Sequence, residues 1–368
     1  MNAFSPEESA RYQRHFVLPQ FGEQGQLRLK QSKVLVVGAG GLGSPVLLYL
    51  AAAGIGKIGI IDHDRVEVHN LQRQVLYGEK DINQGKAKSA QARIEDLNPH
   101  IEIEIFETAL TADNAMEIIA QFDIVADGTD NFQTRYLVND ACVFLDKVNV
   151  YASIFRFEGQ VSVFNHLLAD GSRGPNYRDI YPSPPPVGSV PDCAEGGVLG
   201  VLPGIIGSIQ ANEVIKIAAE IGEPLSARLM LMDALSMETR ILKIRKDRNN
   251  PISGDNPTIK ELIDYDQFCG ISPSPKIQSI SNSVLQEWGS RNVDFQLIDV
   301  REVKEHKRSN IGGVLIPLGE LMSRVDELRR DIPVVIHCQS GKRSQAAIQQ
   351  LTQQGEWPNL FNLEGGMA

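Results

Sequence analysis

K-V-L-V-V-G-A-G-G-L-G-S-P, residues 33–45, is the stretch on which the reading of this chain turns. Val34 to Val37 has strand length and β-branched composition, and Ser44 to Ala53 can start a helix. Between them Gly38, Gly40 and Gly43 allow a tight turn and a close backbone approach. The free amides at the start of the helix would face a phosphate. A second apolar run, Gly59 to Ile61, ends in two carboxylates, Asp62 and Asp64. An acid about 20 residues after the first glycine is where a strand–turn–helix nucleotide fold holds the ribose, which makes Asp62 the candidate. The expectation is a bound nucleotide.

The next segment narrows the chemistry. His69-Asn70-Leu71-Gln72-Arg73-Gln74 is a polar cluster soon after the second strand, Lys86 follows, and Asp127-Gly128-Thr129-Asp130-Asn131 closes the apolar run Ile124 to Ala126. Hydride transfer needs none of these. Activation of a carboxylate by ATP does, because an anion must attack the α-phosphate while pyrophosphate leaves. Arg73 and Lys86 are therefore assigned to the phosphates and Asp130 to Mg²⁺. Taken singly, each is an ordinary solvated surface charge. Alternating strand-like and helix-like segments through residue 165 imply an α/β, Rossmann-like domain with the nucleotide at the strands' C-terminal edge.

Residues 1–247 resemble the adenylating enzymes of the MoeB/ThiF family, relatives of the ubiquitin-activating enzymes that act on the C-terminal Gly-Gly of small sulfur carriers. The matching motifs, in family order, are R-Y-Q-R-H at 11–15, G-A-G-G-L-G at 38–43, H-N-L-Q-R-Q at 69–74, D-G-T-D-N at 127–131, I-F-R-F-E-G-Q at 154–160 and C-A-E-G-G-V-L-G-V-L-P-G-I-I-G at 193–207. The resemblance implies a homodimer in which Arg14 reaches the neighbouring subunit's phosphate site. It also implies that Gly41, Asp62, Asn70, Arg73, Lys86 and Asp130 surround ATP. By itself Arg14 reads as an exposed arginine.

One departure concerns metal. Family members usually bind a structural zinc through two C-x-x-C pairs; here those positions hold Asn176 and Asp179, then Asn250 and Ser253. The only cysteines are Cys142, Cys193, Cys269 and Cys338, no two at zinc-finger spacing. No structural zinc is expected, and dimer packing and the apolar helix around Val198 to Ile215 should hold that end of the domain.

Residues 281–368 carry a second pattern. F-Q-L-I-D-V-R-E at 295–302 reads as a buried strand ending in charges, I-P-L-G-E-L at 316–321 as a helix start, and V-V-I-H-C-Q-S-G-K-R-S at 334–344 as strand, loop and helix. This resembles a smaller α/β domain of the rhodanese-like sulfurtransferases. In the loop Cys338, Gln339, Ser340, Gly341, Lys342 and Arg343, backbone amides, a helix start and two cations favour a thiolate or an anionic persulfide. Four residues separate Cys338 from Arg343, one fewer than in phosphatase loops of related shape, which favours sulfane sulfur over phosphate. S-N-I-G-G-V at 309–314 departs from the family's G-H-I-x-G-A, and the sequence reaches G-G-M-A where relatives continue with a tryptophan and a final helix.

Residues 248–280, rich in Asn, Pro, Ser and Gly, read as an interdomain linker. Tyr181 to Pro191 holds five prolines and should be extended, delivering Cys193 on a flexible arm. Cys193 is a candidate for forming a thioester or for resolving an acyl disulfide with Cys338; in some relatives the matching cysteine is dispensable. Cys142 and Cys269 are read as structural. The net charge of −10 argues against nucleic acid or an anionic membrane as the main partner. Without a signal-like start or a long apolar run, and with unpaired-looking cysteines, the chain reads as cytoplasmic.

The joint expectation is adenylylation of a ubiquitin-like sulfur carrier ending in Gly-Gly, then sulfur transfer from Cys338, itself loaded by a donor such as a cysteine desulfurase. Molybdopterin, thiamine, cysteine and siderophore biosynthesis and tRNA thiolation remain open, with the molybdopterin branch the nearest in resemblance. The alternatives are a nicotinamide-dependent oxidoreductase, which has no use for the Arg73, Lys86 and Asp130 set, and a scaffold with a decayed adenylating site.

Overall fold

A computed structural model describes residues 3–185, 197–270, 277–353, 355 and 357–367, with the backbone alone at Lys342 and Gln353. The chain divides into two units, Met1–Gly270 and Ile271–Ala368.

The first unit opens with α1 (Pro6–Phe16), whose start is locked by a reciprocal cap: Ser5 Oγ accepts from the Glu8 amide and Glu8 returns a carboxylate oxygen to the Ser5 amide. After α2 (Gly22–Gln31) come β1 (Lys33–Val37), α3 (Gly43–Ala53), β2 (Lys57–Ile61), α4 (Lys86–Leu97), β3 (Glu102–Phe106), α5 (Ala115–Ala120), β4 (Ile124–Asp127), α6 (Phe132–Phe144), β5 (Val148–Phe155) and β6 (Glu158–Phe164). Then follow α7 (Leu202–Ala219), β7 (Arg228–Asp233), β8 (Thr239–Lys243) and the one-turn α8 (Tyr265–Phe268). The eight strands run in the order β3-β2-β1-β4-β5-β6-β7-β8. The first five are parallel and the rest antiparallel.

A strand of a parallel sheet is covered on both faces, and β1 has the composition for it. Val34 and Val36 enter one core with α3 and α7, while Leu35 and Val37 enter another with α5 and α6. Helix α7 is tied in by Gln210, whose Nε2 donates to the carbonyls of Asp127 and Val150 at 2.8 Å each. It begins at Leu202, later than expected: Val198 precedes it and bridges to Arg156. The strand order reverses beside β1, between β2 and β4, so loops from both sides converge above that edge.

Residues 248–270 do not behave as a free linker. Tyr265 is buried and donates its hydroxyl to Asp140 Oδ2 at 2.9 Å, and Phe268 lies edge-on to Tyr136. Asp140 also takes both forks of the buried Arg178, at 2.7 Å each, and the guanidinium sits over the rings of Tyr136 and Phe268. The polar composition conceals these anchors because two aromatics and one buried ion pair carry the packing.

The second unit contains β9 (Gln278–Ile280), α9 (Asn282–Ser290), β10 (Gln296–Asp299), α10 (Val303–Arg308), β11 (Val314–Leu315), β12 (Val334–His337), α11 (Lys342–Gln353) and β13 (Leu360–Leu363). Its parallel sheet runs β11-β10-β12-β13-β9. The end of the expected linker is therefore an edge strand, with Ile280 paired to Leu363. The helix start expected at 316–321 is a 3₁₀ helix, Leu318–Glu327.

Candidate functional site

In the first unit, the turn after β1 lines a cavity. Gly38, Gly40, Gly41, Asp62, Arg73, Lys86 and Asp130 all border it, as do Asp64, Gln74, Thr129, Asn131 and Arg135. A side chain at position 43 would put its Cβ 2.0 Å from the Gly38 carbonyl oxygen, so only glycine lets the turn fold back on itself there. No side chain caps the start of α3; in its first turn the Ser44 amide donates to the Gly40 carbonyl at 2.9 Å and Pro45 has no amide proton.

Asp62 organises the turn. One carboxylate oxygen accepts from the Ala39 amide and the other from the Asp64 amide, both at 2.8 Å. Lys86 opens α4, is almost fully buried, and places Nζ 2.9 Å from Asp64 Oδ2. A cation held at depth by one exposed carboxylate can exchange that partner for a phosphate oxygen. The Arg73 stem lies along Gly41, and its Nη1 donates to the His69 carbonyl.

Asp127 to Asn131, running from the last residue of β4 into the loop, divide their labour. Asp127 is buried; its Oδ1 accepts from the Thr129 amide at 3.0 Å and hydroxyl at 2.6 Å. Burial raises its carboxyl above the usual range despite nearby Arg135 and those hydrogen bonds. Asn131 caps α6 by accepting from the Thr134 amide at 2.9 Å. Asp130 is exposed on the cavity, its side chain without a hydrogen bond or ion pair among the described residues. A carboxylate without a protein partner suits Mg²⁺, which takes one or two carboxylates and completes its shell with water and phosphate.

Some expected residues stand apart. Asn70 is buried and accepts from the Glu67 amide, shaping the loop that carries Arg73, and it does not border the cavity. Gly43 supports the turn from behind. Arg14 is exposed on α1 and does not border the cavity of its own chain. Cys193 lies outside the described residues. Arg135 was missed: it is buried, stacks over Tyr151 and donates to the Thr129 carbonyl at 3.2 Å. Its place one turn after Asn131 was the available signal. Cys142 is buried, which pushes its thiol up, and burial pushes Cys269 up to about 11.

The four positions that the resemblance assigns to zinc are joined by hydrogen bonds. Asn176 Nδ2 donates to Ser253 Oγ at 2.7 Å, and Asn250 Nδ2 to Asn176 Oδ1 at 3.2 Å. Asn250 Oδ1 accepts from the amides of Ile252 and Ser253, and Asp179 accepts from those of Asn176 and Asp247. Amide and hydroxyl groups already bonded to one another do not fit a tetrahedral zinc site.

The second unit holds Cys338 at the end of β12, almost fully buried. Gly341, at φ +86°, turns the loop so that its amide lies 3.2 Å from Sγ. Burial alone would push the thiol up; hydrogen bonds from Ser344 Oγ and from the amides of Ser344, Ser340 and Arg343 outweigh it and hold the thiol below its ordinary value. The Ser344 hydroxyl has one proton and three acceptors in reach: Asn362 Oδ1 at 2.7 Å, Gly341 O at 2.9 Å and Sγ at 3.6 Å. Arg301 is buried against Asp299 through Nε and Nη2, and its Nη1 donates to Gln339 Oε1 at 3.3 Å. The Lys342 side chain lies outside the described set.

The ThiF family model matches residues 12–253, and a rhodanese-like domain model matches 282–368. A probable adenylyltransferase/sulfurtransferase MoeZ of Mycobacterium tuberculosis is 46% identical, over 100% of this chain and 94% of its own length. A sulfur carrier protein adenylyltransferase of Thermus thermophilus is 51% identical over 73% of this chain and 99% of its own. The adenylyltransferase and sulfurtransferase MOCS3 of Mus musculus is 41% identical over 98% and 84%. Crystalline E. coli MccB shares the fold at a TM-score of 0.59 and 22% identity, over 71% of this chain and 76% of that one. With half its length and more matched by one family model, and with a relative aligned from end to end, this chain belongs to the ThiF family and bears a rhodanese-like domain behind its ThiF domain.

Proposed function

We propose that the chain adenylylates the C-terminal glycine of a ubiquitin-like sulfur-carrier protein, of the molybdopterin-synthase small-subunit type, and then transfers sulfur to it from Cys338. The observation that carries this is the convergence of Asp62, Arg73, Lys86 and Asp130 on the cavity above the glycine-rich turn.

The turn and the start of α3 receive the phosphates, and Asp62 receives the ribose hydroxyls. Lys86 and Arg73 hold charge on the phosphates as the carrier's carboxylate attacks the α-phosphorus and pyrophosphate departs. Asp130 would hold Mg²⁺, which supplies charge neutralisation when bound. Arg14 of a neighbouring subunit would complete the phosphate site in a homodimer. The outer sulfur of a Cys338 persulfide then attacks the acyl carbonyl, forming a carbon–sulfur bond and expelling AMP. The resulting acyl disulfide is cleaved by a second thiol, leaving a thiocarboxylate on the carrier and a disulfide with Cys338; Cys193 is the candidate within the chain. The cysteine loop has no place in an oxidoreductase, which leaves adenylation with sulfur transfer as the reading that uses both units.

ATP–pyrophosphate exchange by the purified chain, with and without a carrier ending in Gly-Gly, tests the first half. Exchange that needs the carrier and falls by at least about 100-fold in Asp130→Ala is expected. Absence of exchange with every carrier tried would overturn the reading in favour of a scaffold.

A further inference from the structure

The two described arginines at the Cys338 loop, Arg343 and Arg301, are already engaged. Arg343 closes the loop, and its two terminal nitrogens meet Glu305 of α10 side by side, Nη1 at 2.7 Å from Oε2 and Nη2 at 2.6 Å from Oε1. This fork is only a third exposed on either side. Hydrogen bonding to Arg343 holds the Glu305 carboxyl at about 2, so it is ionised across the working range. Glu305 is itself fixed, because Oε2 also accepts from the Glu302 amide at 3.0 Å as the cap of α10. Arg301, the other described arginine at the loop, is neutralised by Asp299 and further occupied by Ser309 and Gln339. Among the described side chains no arginine at this loop offers an uncommitted fork.

A small dianionic sulfur donor is recognised through such a fork, because two parallel N–H bonds to an oxyanion supply both charge and orientation. A donor that presents its persulfide from a protein surface is oriented by contacts elsewhere and does not depend on it. We propose that Glu305 sets the donor preference of the Cys338 loop, masking Arg343 against small sulfane-sulfur dianions and leaving the loop to sulfur presented by a protein persulfide. Glu305 is a positioning residue, since it acts through Arg343. The inference rests on the reading of Cys338 as a sulfur carrier.

Thiosulfate is the probe. The Cys338 thiolate attacks its outer sulfur, the sulfur–sulfur bond breaks toward sulfite, and a persulfide anion remains; cyanide then takes the outer sulfur as thiocyanate and regenerates the thiolate. The full chain is assayed for thiocyanate formation across thiosulfate concentrations, and for a mass gain of one sulfur on Cys338 from a cysteine desulfurase supplied with cysteine. In Glu305→Gln, which keeps an oxygen for the helix cap, KM for thiosulfate should fall about tenfold with a much smaller change in kcat. The ratio of thiosulfate use to desulfurase loading should rise by a similar factor. Glu305→Asp should stay near the parent, and adding Arg343→Ala to Glu305→Gln should abolish the gain. Should Glu305→Gln not fold, Glu305→Ala is measured in its place with the same expectation. An unchanged thiosulfate KM in a variant that still loads from the desulfurase overturns the masking role alone. A parent chain that gains sulfur from neither donor overturns the sulfur-carrier reading, and the masking role with it.

Discussion

Replacing Asn250 with alanine should loosen the clasp that stands where the family's zinc would be. Asn250 is 2% exposed, and its side chain makes three hydrogen bonds: Oδ1 accepts from the amides of Ile252 and Ser253 at 3.0 and 3.1 Å, and Nδ2 donates to Asn176 Oδ1 at 3.2 Å. At about 1 kcal/mol net for each, part of it regained when water reaches the freed amides, the loss comes to about 2–3 kcal/mol of local stability. That corresponds to roughly 30- to 150-fold faster opening-limited exchange. The assay is hydrogen exchange read at amides that keep their acceptors: Gly254 to the Asn250 carbonyl, Asp255 to the Arg248 carbonyl, and Ile259 to the Pro251 carbonyl. Their exchange reports opening of the loop, since none of their own bonds is deleted. Chelator should leave the parent's protection intact. Unchanged protection in Asn250→Ala, or loss of protection when chelator is added to the parent, would refute the argument.

Reinstating four thiols together, Asn176→Cys, Asp179→Cys, Asn250→Cys and Ser253→Cys, should yield a chain that retains one zinc, measured by metal analysis after dialysis; no retained metal would mean that these side chains do not converge as a metal site requires. Asp140→Asn removes the charge facing the buried Arg178 and should destabilise the first unit by about 3–5 kcal/mol, read as a fall in the denaturant midpoint. Ser344→Ala removes one of the groups that hold the Cys338 thiol down, so the lower limb of the pH–alkylation profile should move to higher pH, with less thiolate at neutral pH. The Asp299 carboxyl lies at about 2, where burial opposes and Arg301 and His306 prevail. Because a depressed carboxyl stabilises only while ionised, its contribution is complete above about 4 and is lost as pH falls toward 2, an effect checked by acid unfolding of the parent against Asp299→Asn.

The division between what was legible and what was not follows from the range of the forces involved. Local periodicity and turn chemistry act over a few residues, so β1, the glycine turn, β12 and the Cys338 loop could be read directly, and Asp62, Arg73, Lys86 and Asp130 could be named before any packing was known. The resemblance added Asn70 and Gly41 but could not tell that Asn70 shapes a loop rather than bordering the cavity. Pairings that join distant segments stayed hidden. Nothing in the sequence says that Lys86 rests on Asp64, that Arg343 is held by Glu305 from α10, or that Tyr265 anchors an apparently loose stretch to Asp140, 125 residues earlier. The missing cysteines at 176, 179, 250 and 253 were plain in the sequence; that the residues in their place hydrogen-bond to one another was not. Composition and short-range pattern alone pointed to two α/β domains, a glycine-rich turn after the first strand and a thiol closing a strand. The partners of each buried charge were decided only by the tertiary structure, because desolvated ions and amides take whichever complementary group the fold brings within 3 Å, whatever its distance along the chain.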